Sequence, residues 1–156
     1  MKILVVSDSH GNVNNMVLAV ERERPDRIFH LGDGWRDAEK LHSMFPEIPL
    51  EQVPGNCDFH PVEPAVKRLE LGGKRILLCH GHTYRVKEGL LEAGYAAQEA
   101  QADLLAFGHT HRPTQEWAGK SLLLNPGSIG YWGDPAYAVV TIADGKLTAD
   151  LRRLER

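Results

Sequence analysis

Seven side chains able to bind a metal ion each follow a short apolar run in this sequence: Asp8 with His10, Asp33, Asn56, His80, and His109 with His111. Carboxylate, amide and imidazole donors together suit divalent transition-metal ions. Seven are too many for one four-coordinate zinc. They are about right for two five- or six-coordinate ions that share a carboxylate and keep positions open for water. Two such ions bring four positive charges; Asp8 and Asp33 remove two, a bridging hydroxide a third, and the imidazoles and amide none. The formal +1 that remains suits a singly negative phosphodiester, which a carboxylate-rich site would repel. Taken singly, each residue has an ordinary use. Asp8 can cap the next turn, His10 can sit on the surface, and Asp33 and Asn56 can make turns. Their joint recurrence at strand ends points to chemistry.

Those positions need strands to hold them. Ile3-Leu4-Val5-Val6 reads as a short strand covered on both faces. Asp8 and His10 then stand at its carboxyl end, where open α/β sheets hold their ligands. In an extended loop residues two apart point the same way, which sends Asp8 and His10 to one point. Asn12 is an N-cap for a helix over residues 13–24, with Met16, Val17 and Val20 on one face. A strand over 27–30 leads to Asp33, and a helix over 36–44 and a strand over 50–53 lead to Asn56. Segments 65–71 and 74–79 flank Gly72-Gly73 as a hairpin whose second strand ends in His80-Gly81-His82. A helix over 87–101 is expected to pack through Leu90, Leu91 and Tyr95. A strand over 103–107 runs into Gly108-His109-Thr110-His111. Strands over 114–118, 121–124, 136–142 and 146–152 complete the chain. A βαβ-like first part and a meander-like last part hold too many strands for one open sheet. The expected fold is α/β: two mixed β-sheets packed face to face with helices on the outside, an α-β-β-α sandwich.

The totals agree with one such domain spanning residues 1–156, being 42% hydrophobic and 25% charged. The net charge of -3 offers no basic face for anionic lipid and argues against a long nucleic acid as partner. The apolar run after Met1 is too short for a membrane span and lacks a signal peptide's h-region and cleavage site, so no membrane contact and a cytoplasmic location are expected. Cys57 and Cys79, the only cysteines, are read as thiols, since a domain of this size needs no disulfide. His30, His42 and His60 are read as structural or exposed, and Trp35, Trp117 and Trp132 as core or rim packing. Ser128 lacks a Gly-x-Ser-x-Gly elbow, so residues 125–128 are expected to support the site through backbone contacts.

In order, Asp-x-His at 8–10, Gly-Asp at 32–33, Gly-Asn-x-Asp at 55–58, His-Gly at 80–81 and Gly-His-Thr-His at 108–111 resemble the calcineurin-like metallophosphoesterases. The match runs from Ile3 to about Ser128, and the small size, the variant Gly55-Asn56-Cys57-Asp58 and the segment Asn125-Pro126-Gly127-Ser128 are most similar to the compact YfcE-type phosphodiesterases. The resemblance implies that Asp8, His10 and His111 hold one metal, that Asn56, His80 and His109 hold the other, and that Asp33 bridges them. Splitting His109 from His111 requires them to point in different directions. It further implies hydrolysis of a phosphodiester, with activated monoesters as lesser substrates, by two divalent ions that turn a bridging water into hydroxide for in-line attack. Manganese is the first expectation for the ions; iron, zinc and nickel suit the same donors.

One position departs from the wider superfamily. Many of its members carry a histidine after the asparagine that is thought to protonate the leaving group; Cys57 stands there in this chain and is a poor acid for an alkoxide. This favours diesters, or esters with good leaving groups. Asp58 is expected to orient a neighbouring ligand, and His82 either replaces the missing proton donor or is a solvated loop residue. The loop Gly130-Tyr131-Trp132 leaves specificity open. The alternative function is a non-catalytic protein-binding scaffold, because the fold resembles that of a retromer subunit which acts through its surfaces. All seven donor positions are filled here, which favours the enzyme and a small phosphodiester as its partner; homo-oligomerisation is left open.

Overall fold

In the computed structural model of the chain, which describes residues 1–59, 63–131 and 134–154, the apolar run after Met1 forms β1 (Lys2–Val6). His60 and Trp132 lie outside the described residues. Then follow α1 (Val13–Glu23), β2 (Arg27–His30), α2 (Trp35–Met44), β3 (Leu50–Gln52), β4 (Val66–Leu71), β5 (Lys74–Cys79), a 3-10 turn at His82–Tyr84 and α3 (Leu91–Glu99). The chain continues through β6 (Leu104–Ala106), β7 (Thr114–Ala118), β8 (Ser121–Asn125), β9 (Ala136–Ala143) and β10 (Lys146–Arg153). One sheet has the order β10-β9-β1-β2-β3 and the other β4-β5-β6-β8-β7. Both are mixed. Strands β1, β2 and β3 run parallel with β9 antiparallel to β1, and β5, β6 and β8 run parallel between antiparallel β4 and β7.

The two-residue period of the strands builds the layers. Ile3 and Val5 meet Phe29, Leu78, Leu104, Leu124 and Val140 between the sheets. Leu4 and Val6 turn outward onto Met16, Val20 and Leu41 of α1 and α2. Leu77, Leu105 and Leu123 turn outward on the other side, onto Ala93 and Ala97 of α3. The result is the α-β-β-α sandwich. Burying each large aliphatic side chain stabilises the fold by roughly 1.5–3 kcal/mol, which gives the loops at the strand ends a rigid floor. Asn12 caps α1, its side chain accepting from Asn15 N at 3.1 Å.

Helix α3 differs from the sequence expectation. It begins at Leu91 rather than near residue 87, because Gly89 takes φ +138°, outside the right-handed helical region. It packs through Ala93, Gly94 and Ala97, and leaves Leu91 and Tyr95 exposed on the opposite face. Small residues let the helix lie close on β6 and β8. Trp117 also differs: it is exposed on edge strand β7 rather than packed in the core. His42 is exposed, and Cys57 and Cys79 are free thiols. Among the described residues no helix is long and apolar enough to cross a membrane.

Candidate metal centre

The loops after β1, β2, β3, β5 and β6 meet at one end of the sandwich. Backbone bonds stitch them together: Asp8 N to Gly32 O at 2.9 Å, His10 N to Asp33 O at 3.1 Å, and Gly108 N to His80 O at 2.9 Å. Six of the candidate side chains thereby fall into two groups. Asp8, His10 and His111 form one; Asp33, His80 and His109 form the other; within each, the donor atoms lie within 4.8 Å of one another.

Each carboxylate uses one oxygen to hold the fold and turns the other toward the histidines. Asp8 Oδ2 accepts from Ser7 Oγ at 2.5 Å and from His109 N at 3.1 Å. Asp8 Oδ1 then faces His111 Nε2 at 3.1 Å, His10 Nε2 at 3.7 Å and His80 Nε2 at 3.8 Å. Asp33 Oδ1 accepts from Cys57 N at 2.9 Å. Asp33 Oδ2 lies between the groups, 3.3 Å from His80 Nε2 and 3.9 Å from His10 Nε2.

Asn56 is exposed, and its neighbours tie it to this place: Cys57 N donates to Asp33, and Gly55 N donates to Asp58 Oδ2 at 2.8 Å. Asp58 is a brace between two loops. Its Oδ2 also accepts from Asp33 N at 2.9 Å, while Oδ1 accepts from Gly34 N at 3.0 Å and Trp35 N at 2.9 Å at the start of α2. A carboxylate there complements the positive end of the helix dipole. His82 is exposed at the rim, its ring centroid 5.5 Å from that of His80 and 6.2 Å from that of His109.

The loops are not extended. Asp8, His10, Asp33, His109 and His111 all have positive φ, between 43° and 71°. They are five of the nine non-glycine residues in this region among the described residues. Each costs roughly 1–2 kcal/mol relative to ordinary backbone, so the surrounding bonds must hold them. Convergence of Asp8 with His10 therefore comes from left-handed turns and not from the two-residue alternation of an extended segment. The same turns separate His109 from His111, which fall in different groups.

The electrostatics are those of a site short of positive charge. Burial disfavours a proton on His80, but Asp33 and Asp8 outweigh it and raise the imidazole pKa above its ordinary value. Burial likewise opposes ionisation of Asp33, yet His80 and the Cys57 N–H hold its pKa well below the usual carboxylate range. Desolvation, then the neighbouring charge on His80, pushes His109 down to about 4. The Cys57 thiol is pushed up by desolvation and by Asp33. Two convergent groups of carboxylate and imidazole donors, with oxygens already aimed at the histidines, fit a pair of divalent cations. His80 has its Nδ1 2.7 Å from Leu31 O, so Nδ1–H donates to that carbonyl and Nε2 is turned to the carboxylates.

Further side chains support the site loops. His30 is fully buried, and burial lowers its pKa to about 4, so it is neutral. Gly32 N donates to its Nδ1 at 3.2 Å, and Nε2–H then donates to Ser9 Oγ at 3.0 Å. Ser9 donates on to Asp37 Oδ2 at 2.7 Å, which also takes Gly11 N at 2.7 Å. This chain braces the loop carrying Asp8 and His10. Its sequence signal was the polar Ser9 between two candidate ligands and an acid, Asp37, in the first turn of α2. Asn125 donates through Nδ2 to Gly108 O at 3.0 Å and Thr110 Oγ1 at 2.9 Å; Ser128 donates to Asp8 O at 2.8 Å. The support from residues 125–128 thus runs from side chains to the backbone of the site loops. Beside the site lies a cleft of about 410 Å³, lined by His10, Asp33, Trp35, Arg36, Cys57 and Phe59 among others.

Comparison with known proteins places this geometry. Residues 1–145 match the calcineurin-like phosphoesterase superfamily domain. The chain is 33% identical over 154 residues to the probable metallophosphoesterase YsnB of Bacillus subtilis (strain 168), covering 95% of this chain and 88% of that protein. It is 33% identical over 164 residues to the phosphodiesterase YfcE of Escherichia coli (strain K12), covering 87% of this chain and 84% of the other. A solved structure from Streptococcus pneumoniae TIGR4, described as a predicted phosphoesterase, superposes with a TM-score of 0.81 at 33% identity, over 97% of this chain and 88% of that one. Vps29 of Entamoeba histolytica, solved in complex with zinc, shares the fold with a TM-score of 0.74 at 19% identity, over 99% of this chain and 100% of that one.

Proposed function

The chain belongs to the calcineurin-like phosphoesterase superfamily, and from that premise we propose that it hydrolyses a small phosphodiester with the help of two divalent ions, manganese first among them. The observation that carries this reading is the position of Asp33 Oδ2, within 4 Å of His10 Nε2 from one donor group and of His80 Nε2 from the other. Asp8, His10 and His111 would hold one ion, His80, His109 and Asn56 the other, with Asp33 shared. When bound, such ions supply Lewis acidity, lowering the pKa of a shared water toward neutrality and neutralising charge on the phosphoryl oxygens.

The protein's own part is to hold and shape. Asp58 fixes the backbone of Asp33, and the His30–Ser9–Asp37 chain fixes the loop of Asp8 and His10. The cleft past Trp35, Arg36, Cys57 and Phe59 receives the ester group. Cys57 offers no effective acid to a departing alkoxide, which favours diesters and good leaving groups over ordinary monoesters.

The test measures metal content and hydrolysis of bis(4-nitrophenyl) phosphate and 4-nitrophenyl phosphate, before and after chelation. Diester turnover should exceed monoester turnover, vanish on chelation and return with manganese. Turnover that survives complete metal removal would defeat the proposal. Since a zinc complex is known for Vps29, metal uptake alone does not separate an enzyme from a scaffold; hydrolysis does.

A further inference from the structure

The segment after Ser128 is fastened to the Asp8 loop along its length. Ser128 Oγ donates to Asp8 O at 2.8 Å, Ile129 N to Ser7 O at 3.0 Å, and Gly130 N to Ser128 Oγ at 3.2 Å. From the other side, Asn15 Nδ2 on α1 donates to Ile129 O at 2.8 Å. Gly130 lies so near the loop that an added Cβ would stand 2.4 Å from Ser9 O and 2.9 Å from Asp8 O. Only glycine allows this approach, and the approach fixes where the next residue goes. Tyr131 is thereby delivered to His111: its hydroxyl lies 2.5 Å from Nδ1, and the two rings meet edge to face with centroids 4.9 Å apart. The opposite nitrogen, His111 Nε2, faces Asp8 Oδ1 at 3.1 Å.

We propose that Tyr131 is a positioning residue for the metal site formed by Asp8, His10 and His111: its hydroxyl oxygen accepts the Nδ1 proton of His111 and so reserves the Nε2 lone pair for the ion. The inference rests on the two-metal reading of the site. A neutral imidazole carries one proton, so a partner that accepts at Nδ1 fixes the tautomer, turns the ring and makes Nε2 a better donor. The other group has the equivalent device in His80, but there the acceptor is the backbone carbonyl of Leu31, which no substitution removes. On the His111 side the acceptor is a half-exposed side chain, 50% accessible, that can be changed with little damage to the core. One site can therefore be weakened while its neighbour serves as the internal control.

The experiment titrates metal-free wild type, Tyr131→Phe and Tyr131→Gln with manganese by calorimetry, and follows diester hydrolysis against manganese concentration. Wild type should take up two ions per chain. Tyr131→Phe should keep one at wild-type affinity and bind the second about 10–100-fold more weakly. The manganese needed for half-maximal rate should rise by the same factor, while KM for the diester at saturating manganese stays within about twofold and the thermal midpoint of the metal-free protein is unmoved. Tyr131→Gln, whose amide oxygen can accept the Nδ1 proton, should recover part of the loss. Wild-type affinity at both sites in Tyr131→Phe would overturn the proposal. So would equal losses in the Phe and Gln variants, because an acceptor returned to that position would then restore nothing. Fewer than two ions in wild type would instead refute the dinuclear reading, and the proposal with it.

Discussion

Asp58 offers the sharpest link between stability and site geometry. Its two oxygens accept from four backbone N–H groups, those of Asp33, Gly55, Gly34 and Trp35, at 2.8–3.0 Å. Asp58→Asn keeps the shape but replaces one oxygen with an amide nitrogen. Whichever way the amide turns, two of the four N–H groups lose their acceptor and meet another donor. A hydrogen bond to a charged group contributes about 1.5–3 kcal/mol, so two fully buried bonds would amount to about 3–6 kcal/mol. Asp58 is half buried, and water recovers part of this. Loss of the charge at the start of α2 adds about 0.3–1 kcal/mol. The expected destabilisation is about 2–4 kcal/mol, read as a shift in the urea midpoint of the metal-free protein at unchanged m-value. Because Asp33 N is one of the groups released, manganese affinity should fall about 10–100-fold as well. A variant within about 0.5 kcal/mol of wild type, with undiminished manganese affinity, would refute the idea that this brace sets Asp33.

Asp33→Asn should weaken both ions together, because Oδ2 faces both donor groups; calorimetry showing loss at one site only would assign Asp33 to that site alone. Cys57→His should raise monoester turnover relative to diester turnover, and His82→Ala should slow only esters with poor leaving groups if His82 is a proton donor; an unchanged ratio would show in the first case that position 57 does not set the preference for diesters, and in the second that His82 is not the donor. Glu23 provides a pH test far from the site. Burial opposes its charge, but Tyr137 at 2.6 Å, Lys2 at 3.0 Å and Arg152 at 2.7 Å hold its pKa at about 2, against 4.5 ordinarily. The lowered pKa contributes stability that is complete above pH 4.5 and is lost as pH falls toward about 2; it amounts to about 2–3 kcal/mol. The gap in unfolding free energy between wild type and Glu23→Gln should therefore narrow from about pH 5 to pH 3; a constant gap would contradict this assignment.

What could be read from the sequence follows from what is local. The apolar runs of β1, β5, β6 and β8 announce themselves because they are covered on both sides, and all their central residues are buried. The polar residues at their ends therefore stood out. Helix α3 was harder, since its contact face is made of Ala93, Gly94 and Ala97 and its larger apolar residues point to solvent. The left-handed backbone at Asp8, His10, Asp33, His109 and His111 was not legible at all. Aspartate and histidine prefer ordinary conformations, and it is bonds from distant loops that impose the strain. The same is true of partners far apart in the chain. Nothing near Ser9 names Asp37 as its acceptor, and nothing near His111 names Tyr131; the fold brings them together across 28 and 20 residues.

The central claim is that two donor groups, made from five separate loops, hold two cations side by side. Anomalous diffraction at the manganese edge, from a crystal grown with excess manganese, measures this directly. Two peaks should appear, one against Asp8, His10 and His111 and one against Asn56, His80 and His109, with Asp33 touching both. A single peak, or none at these side chains, would contradict it.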